Sequence, residues 1–183
     1  MRSIEDYILI KRIQDGDPAA FEALARKYYQ NIYSFCVRRC NGDTALAADL
    51  TQETFLKLVE HIRCYRPTGK FINFLLTIAV NTCNNNYKKK SFELVEGDTL
   101  ARIPDQNDIE RMVLRRETAL TVQQAINRLP DIQKEVVILR FYHHRKLREI
   151  AAMTGVSLPT AKSRLKQGLV KLKRYLDEED LES

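Results

Sequence analysis

The sequence predicts an all-α chain: two small helical domains joined by a flexible linker, the second of them a helix-turn-helix domain. Three observations lead there. Apolar residues return every three or four positions along most of the chain, the repeat of a helix with one buried face. No stretch alternates with period two, and no Asn-Gly or Asp-Gly hairpin stands between β-branched runs, so strands are not expected. Between these helical stretches, residues 91–107 lose the periodicity and collect Gly97, Pro104 and the acids Glu93, Glu96, Asp98 and Asp105. That segment reads as a linker between domains at 1–90 and 108–183.

Each element has its own signal. Asp17 is an N-cap with Pro18 at the first helical position, and Phe21, Leu24, Tyr28, Ile32 and Phe35 follow at helical spacing. Asn41-Gly42-Asp43 stops that helix, and another is expected from Thr44 to Arg63, with Ala47, Leu50, Phe55, Leu58 and Ile62 towards the core. Arg66-Pro67-Thr68-Gly69 is a turn, because Pro fixes φ and Gly tolerates positive φ. The next helix is expected over Lys70–Lys90, burying Phe71, Phe74, Leu75 and Ile78. After the linker, Asp108 can cap a helix carrying Ile109, Met112, Val113, Leu120 and Ile126. Pro130 interrupts it before a shorter helix ending at Phe141. A helix over Lys146–Thr154, the turn Gly155-Val156-Ser157 and a last helix from Leu158 to about Tyr175 complete the chain. This last group has the helix-turn-helix pattern, and Arg145–Arg174 holds nine basic residues against one acid, Glu149.

Composition narrows the function. The 183 residues suit one or two domains, and 44% hydrophobic with 30% charged content suits a soluble globular protein. Thirty basic against 24 acidic side chains leave a net charge of +6, which leans towards an acidic partner such as nucleic acid. The excess is divided: 14 basic and 9 acidic residues over 1–90, 4 and 6 over 91–116, 12 and 9 over 117–183. Two basic domains on an acidic tether result. The longest apolar run, Phe74–Val80, is broken by Thr77 and too short to span a membrane. Glu5 and Asp6 beside the short run Ile8–Ile10 do not make a signal peptide, so the cytoplasm is the expected location. Cys36, Cys40, Cys64 and Cys83 form no CxxC pair, and no histidine flanks them at metal spacing. Buried thiols in a reducing compartment are expected, with no metal and no cofactor. GxGxxG, P-loop, GxSxG and HExxH motifs are all missing, so no enzyme is expected.

Three constellations carry the functional reading. On a wheel of about 100° per residue, Leu56 stands amid Asp49, Gln52, Glu53 and Glu60, an apolar residue centred in an acidic face, as in a protein docking site. An enzyme would use Asp49 and Glu53 as metal ligands or an acid–base pair, but no second carboxylate motif or histidine accompanies them. On the helix from Lys70, Asn73, Thr77, Asn81, Asn84 and Lys88 form a stripe. Amides there suit base edges, Lys88–Lys90 suit phosphates, and Tyr65 in the preceding turn can stack on an unpaired base. A frayed helix end with basic residues favouring the dipole is the alternative. On the last helix, Leu158, Ala161, Leu165, Leu169 and Leu172 share the core face, while Ser163, Lys166 and Gln167 point away with Lys162 and Arg164 at the flanks. Ser157 is its N-cap. Such a face suits a major groove, where Lys donates to guanine and Gln can bridge adenine; a solvated surface is the alternative.

In this order the residues resemble the extracytoplasmic-function (ECF) class of bacterial RNA polymerase sigma factors. The match begins at Gly16-Asp17, Ala20-Phe21 and Tyr28-Tyr29 and is most specific at Ala48-Asp49-Leu50-Thr51-Gln52-Glu53-Thr54-Phe55. Phe74-Leu75, Ile78-Ala79 and Asn81 follow, then Leu129-Pro130, Gln133-Lys134-Glu135, Glu149-Ile150-Ala151 and Ala161-Lys162-Ser163-Arg164-Leu165.

The resemblance implies a core-polymerase contact through Asp49, Leu50, Gln52, Glu53, Leu56 and Glu60. It implies minus-ten DNA contacts through Tyr65, Arg66, Lys70, Asn73, Thr77, Asn81, Asn84, Asn85 and Lys88, although the wheel places Asn85 nearer the buried side than Asn81. It implies minus-thirty-five contacts through Arg148, Thr160, Lys162, Ser163, Arg164, Lys166, Gln167 and Lys171. Of these, Lys162, Ser163 and Lys166 are assigned to base edges, and Thr160, Arg164, Gln167 and Lys171 to phosphates. The implied partners are core RNA polymerase, promoter DNA (duplex at minus thirty-five, single-stranded at minus ten) and an anti-sigma factor, without membrane insertion. Departures from the family's usual residues include Phe74 for Trp, the basic run His143–Arg148, and Pro159, Ala161, Gln167 and Gly168 on the last helix. The alternative function is a free-standing helix-turn-helix regulator whose first domain senses a signal.

Overall fold

The computed structural model describes residues 4–66, 69–93 and 120–182, and among these every regular element is a helix. The elements are α1 (Ile4–Gln14), α2 (Pro18–Arg39), α3 (Thr44–Ile62), α4 (Phe71–Glu93), the described part of α5 (120–127), α6 (Asp131–Phe141), α7 (Leu147–Thr154) and α8 (Leu158–Glu182). They group into two compact units, α1–α4 and α5–α8. Pro67 and Thr68 of the expected turn lie outside the described residues, as do 94–107 of the expected linker and the start expected for a helix at Asp108. Helix α4 continues three residues into the segment read as linker, and α8 runs past Tyr175 to Glu182.

In the first unit the caps act as the residues dictate. The Asp17 carboxylate accepts from the N–H groups of Ala19 (2.9 Å) and Ala20 (3.3 Å). It also takes the Arg12 guanidinium at 2.6 Å, which holds its carboxyl below the usual range. Asp43 caps α3 through the Leu46 N–H at 2.9 Å. Between α2 and α3 the chain reverses through Asn41 (φ 55°) and Gly42 (φ 89°), residue types that tolerate the left-handed region. Helix α1 was not expected from the sequence. It packs on α2 and α3 and buries Ile10, Ile13 and Asp6. Asp6 is satisfied by the Tyr28 hydroxyl at 2.6 Å and the Lys27 ammonium at 2.8 Å.

Helix α4 packs on both α2 and α3. Its Leu75, Leu76, Ile78, Ala79, Val80, Thr82 and Cys83 are all buried, joining Leu24, Ile32, Phe35 and Cys36 of α2 and Leu50, Leu58 and Ile62 of α3. Thr51 and Thr54, rather than Phe55, complete the inner face of α3. Their hydroxyls donate to the Ala47 and Leu50 carbonyls at 2.7 Å each, which is how a hydroxyl tolerates the interior. Phe55 is half-buried and stacks on Tyr29, with centroids 6.2 Å apart. Cys36, Cys40 and Cys83 are buried as expected, but Cys64 is exposed. The Cys36 and Cys83 thiols hydrogen-bond, which lowers the first and raises the second; burial pushes Cys40 up to about 12.

In the second unit α6 is buried without interruption from Gln133 to Leu139. Glu149 reaches back to the Lys146 N–H at 2.8 Å to close the first turn of α7, and Gly155 (φ 66°) ends it in the left-handed conformation. On α8 the buried stripe is Ala161, Gly168, Leu172 and Tyr175; Leu169, expected in the core, is 42% exposed. Gly168 explains the shift. A Cβ there would stand 3.1 Å from Val137 Cγ2 and 3.5 Å from Gln133 Cβ, so the missing side chain sets how closely α8 crosses α6.

Candidate functional site

The outward side of α3 carries Asp49, Gln52, Glu53 and Glu60, all exposed, around Leu56 at 67% exposure. Leu50 does not belong with them. At 2% exposure it is part of the core, and no partner can reach it without unpacking the unit. Val59, one turn from Leu56, is 49% exposed and extends the apolar centre. The spacing alone signals it, since i and i+3 share a helix face. Beside Val59 lies a cavity of about 310 Å³ lined by Ile13, Pro18, Phe21 and Ile62 among others, so α1 and the start of α2 widen the apolar surface. Glu53 is held by Lys57 at 2.6 Å, and Lys57 also donates to Thr82 of α4 at 3.2 Å.

Helix α4 exposes a narrow stripe. Asn81, Asn85 and Lys88 are exposed, and Asn73, Thr77 and Asn84 are half-buried. Asn85 is therefore on the accessible side, contrary to the wheel, because the last turns of α4 run beyond the residues that bury its middle. Asn84 is the more constrained: its Oδ1 accepts from Arg39 Nη2 at 3.0 Å. Arg39, only 1% exposed, also lies over the Tyr87 ring at 4.8 Å. The Thr77 hydroxyl donates to the Asn73 carbonyl at 2.8 Å. The side chains of Lys89 and Lys90 lie outside the described ones.

At the start of α4 the aromatic residues form a pile. Tyr65 stacks on Phe74 with centroids 4.4 Å apart and meets Phe71 at 5.6 Å, while Phe71 meets Tyr28 at 5.4 Å. Phe74, expected in the core, is half-buried and faces Tyr65 instead. The pile is anchored from α1: Gln14 Nε2 donates to the carbonyls of Ile62 and Tyr65 at 3.0 Å each. Nothing in the sequence marks Gln14, because both acceptors lie about 50 positions away. Arg66 and Lys70 flank the pile and are exposed. From Asn73 to Lys88 the stripe extends roughly 22 Å at about 1.5 Å per residue.

In the second unit Lys162, Ser163, Lys166, Gln167, Thr160 and Arg148 are exposed; Arg164 and Lys171 are half-buried. Ser157 caps α8, accepting from the Thr160 N–H at 3.2 Å, with its hydroxyl 2.8 Å from that of Thr160. The face is rich in hydrogen-bond donors and lies opposite the stripe that packs on α6 and α7. A cavity of about 520 Å³ is lined by Gln133, Ser163, Lys166, Gln167, Val170 and Lys171. Every sequence-predicted residue of this set stands on one side of α8 except Arg148, which is on α7.

The chain is similar to known proteins. Residues 24–93 match the family described as Sigma-70 region 2, and residues 119–172 match Sigma-70, region 4. The chain is 31% identical over 179 residues to the RNA polymerase sigma factor CarQ of Myxococcus xanthus, covering 94% of this chain and 98% of that one. It is 29% identical over 177 residues to the ECF RNA polymerase sigma factor SigW of Bacillus subtilis, covering 91% and 94%. Among solved structures, the sigma factor RpoE in complex with the anti-sigma factor NepR from Bartonella quintana matches with a TM-score of 0.70 and 21% identity, over 86% of this chain and 96% of that one. CnrH in complex with the cytosolic domain of CnrY matches at 0.69 and 21%, over 95% and 98%. These two likenesses concern the fold.

Proposed function

Since this chain belongs to the ECF subfamily of RNA polymerase sigma factors and so directs promoter-specific initiation of transcription, we propose how its residues divide that work. The first unit, about residues 1–90, docks on core polymerase through Asp49, Gln52, Glu53, Leu56 and Glu60, with Val59 added and Leu50 left to the interior. The same unit holds the unpaired minus-ten strand. A base on Tyr65 prolongs the pile begun by Phe74, the amides of Asn73, Asn81 and Asn85 meet base edges, and Arg66, Lys70 and Lys88 take phosphates. Asn84 acts mainly by fixing the helix on Arg39. The second unit, about residues 108–183, lays α8 in the major groove of the minus-thirty-five duplex, with Arg148 on the backbone.

The observation that supports this most is the pairing, in one chain, of a mixed acidic and apolar face on α3 with a donor-rich face on α8. A free-standing regulator with a sensor domain is not favoured, because the first unit matches Sigma-70 region 2. The role is non-enzymatic, and a chain that works on core polymerase works in the cytoplasm. No helix among the described residues is long and apolar enough to cross a membrane. An anti-sigma factor completes the partners, a reading supported by the two solved relatives, each bound to another chain. Co-purification with core RNA polymerase followed by run-off transcription tests the whole. Run-off product dependent on this chain is the expected result, and a chain that never co-purifies with core enzyme overturns it.

A further inference from the structure

Gln133 sits on α6, a helix with no place among the promoter-reading residues, and is 6% exposed. Its Nε2 donates to Gln167 Oε1 at 3.1 Å, and Gln167 Nε2 donates in turn to Ser163 Oγ at 3.2 Å. The relay exists because Gly168 lets the two helices approach until a Cβ would meet Gln133 Cβ at 3.5 Å. A glycine inside a helix is unfavourable relative to alanine, so its presence at this crossing is accounted for by what the close approach permits. The relay leaves Gln167 with its oxygen turned in to α6 and one N–H committed to Ser163. What remains for a partner is the other N–H.

A glutamine bridges adenine by accepting from N6 and donating to N7, which needs the oxygen outward. That option is closed here. Lys162 and Lys166 offer only donors as well. We propose that Gln133 is a specificity-determining positioning residue: by holding the Gln167 carboxamide oxygen inward it leaves Gln167 only an N–H to offer a base, matched to guanine, whose major-groove edge presents the acceptors O6 and N7, and not to adenine. This rests on the placement of α8 in the groove proposed above; it moves Gln167 from the phosphates expected from the sequence to a base edge, and adds the base class read there and the residue behind the choice.

The test uses the full chain assembled with core RNA polymerase and a pool of duplexes randomised across the minus-thirty-five element. The wild-type chain selects guanine at the base pair under Gln167. Gln133→Met, which keeps the volume and removes the amide, frees Gln167 to turn and moves the preference at that same pair towards adenine by about tenfold. Gln167→Glu, an exposed replacement that does not depend on repacking α6, still accepts from Gln133 but has no N–H to give. It loses the guanine preference at that pair in favour of cytosine. The double variant Gln133→Met/Gln167→Ala behaves as Gln167→Ala alone, since the first residue acts only through the second. Unchanged selection by folded Gln133→Met, beside a clear effect of Lys166→Ala, overturns the relay and leaves the groove placement standing. A uniform loss on all sequences in both glutamine variants also overturns it and assigns Gln167 to a phosphate. No effect from Lys166→Ala removes the groove placement, and the relay with it.

Discussion

Helices α4 and α8 both carry polar residues proposed to meet DNA, yet they are embedded in opposite ways. Helix α4 is buried nearly all round through its middle, leaving Thr77 and Asn81 in a slit between Leu76, Ile78, Val80 and Thr82. Helix α8 is held at Ala161, Gly168, Leu172 and Tyr175 and exposes most of its first four turns. The difference is a matter of width. A helix with side chains is about 10–12 Å across and the major groove about 12 Å, so a helix that enters the groove must be free on most of its circumference. A helix buried like α4 cannot enter; it can only let a flexible single strand lie across its open stripe. Depth of burial thus separates duplex reading from strand capture before any base contact is considered.

Five variants test that separation. The largest effect is expected outside both helices. Asp49→Lys with Glu53→Lys reverses the α3 face and should abolish association with core polymerase, read by co-purification, while far-UV helicity stays unchanged because both residues are exposed. A folded double variant that still binds core enzyme removes the docking face from the account. Next, Tyr65→Ala should weaken capture of minus-ten single strand by roughly 10- to 100-fold, since a stacked base is worth about 1–3 kcal/mol. Duplex binding through α8 should be untouched; a parallel loss on duplex would erase the contrast between the units.

In the second unit, Lys166→Ala should cost about 1–3 kcal/mol on the cognate duplex and relax preference at one base pair. Arg164→Ala should instead weaken all sequences alike and reduce the salt slope by about one. Competition binding over a range of salt reads both, and identical behaviour of the two variants would mean that α8 touches only the backbone. The smallest effect is expected from Gly168→Ala. The new methyl group would meet Val137 Cγ2 at 3.1 Å. Overpacking of this kind costs about 1–3 kcal/mol, offset by about 0.5–1 kcal/mol of helix propensity, for a net loss of about 1 kcal/mol in thermal unfolding of the second unit. Single-strand capture by the first unit should not change.

Where a cap or breaker stands in the sequence, the helices were legible to within a residue. Asp17-Pro18 starts α2, Asp43 precedes α3, and Pro130 and Gly155 bound α6 and α7. Helix α1 was not, because its inward face includes Asp6 while Ile4, Tyr7 and Ile8 point outward, so its pattern is only weakly amphipathic. The wheel found the exposed acidic and apolar face of α3 and the exposed donors of α8, since both depend on direction within one helix. It failed for Asn85, Phe74 and Leu169, where exposure depends on how far a neighbour extends or how closely it crosses. Arg39 with Asn84, Gln14 with Tyr65 and Gln133 with Gln167 were beyond reach for one reason: each pair is 34 or more positions apart and meets only through packing.

The clasp from Gln14 to the Tyr65 carbonyl spans 51 positions, and that separation is also an interval of time. A ribosome adding roughly 5–20 residues per second takes several seconds to travel it. Throughout that interval α1 exists without the carbonyls it will hold, and the exposed face of α3 emerges before the aromatic pile that Gln14 anchors. During synthesis the first unit therefore acquires its aromatic end last, and a newborn chain carries the face proposed for polymerase before the one proposed for an open promoter.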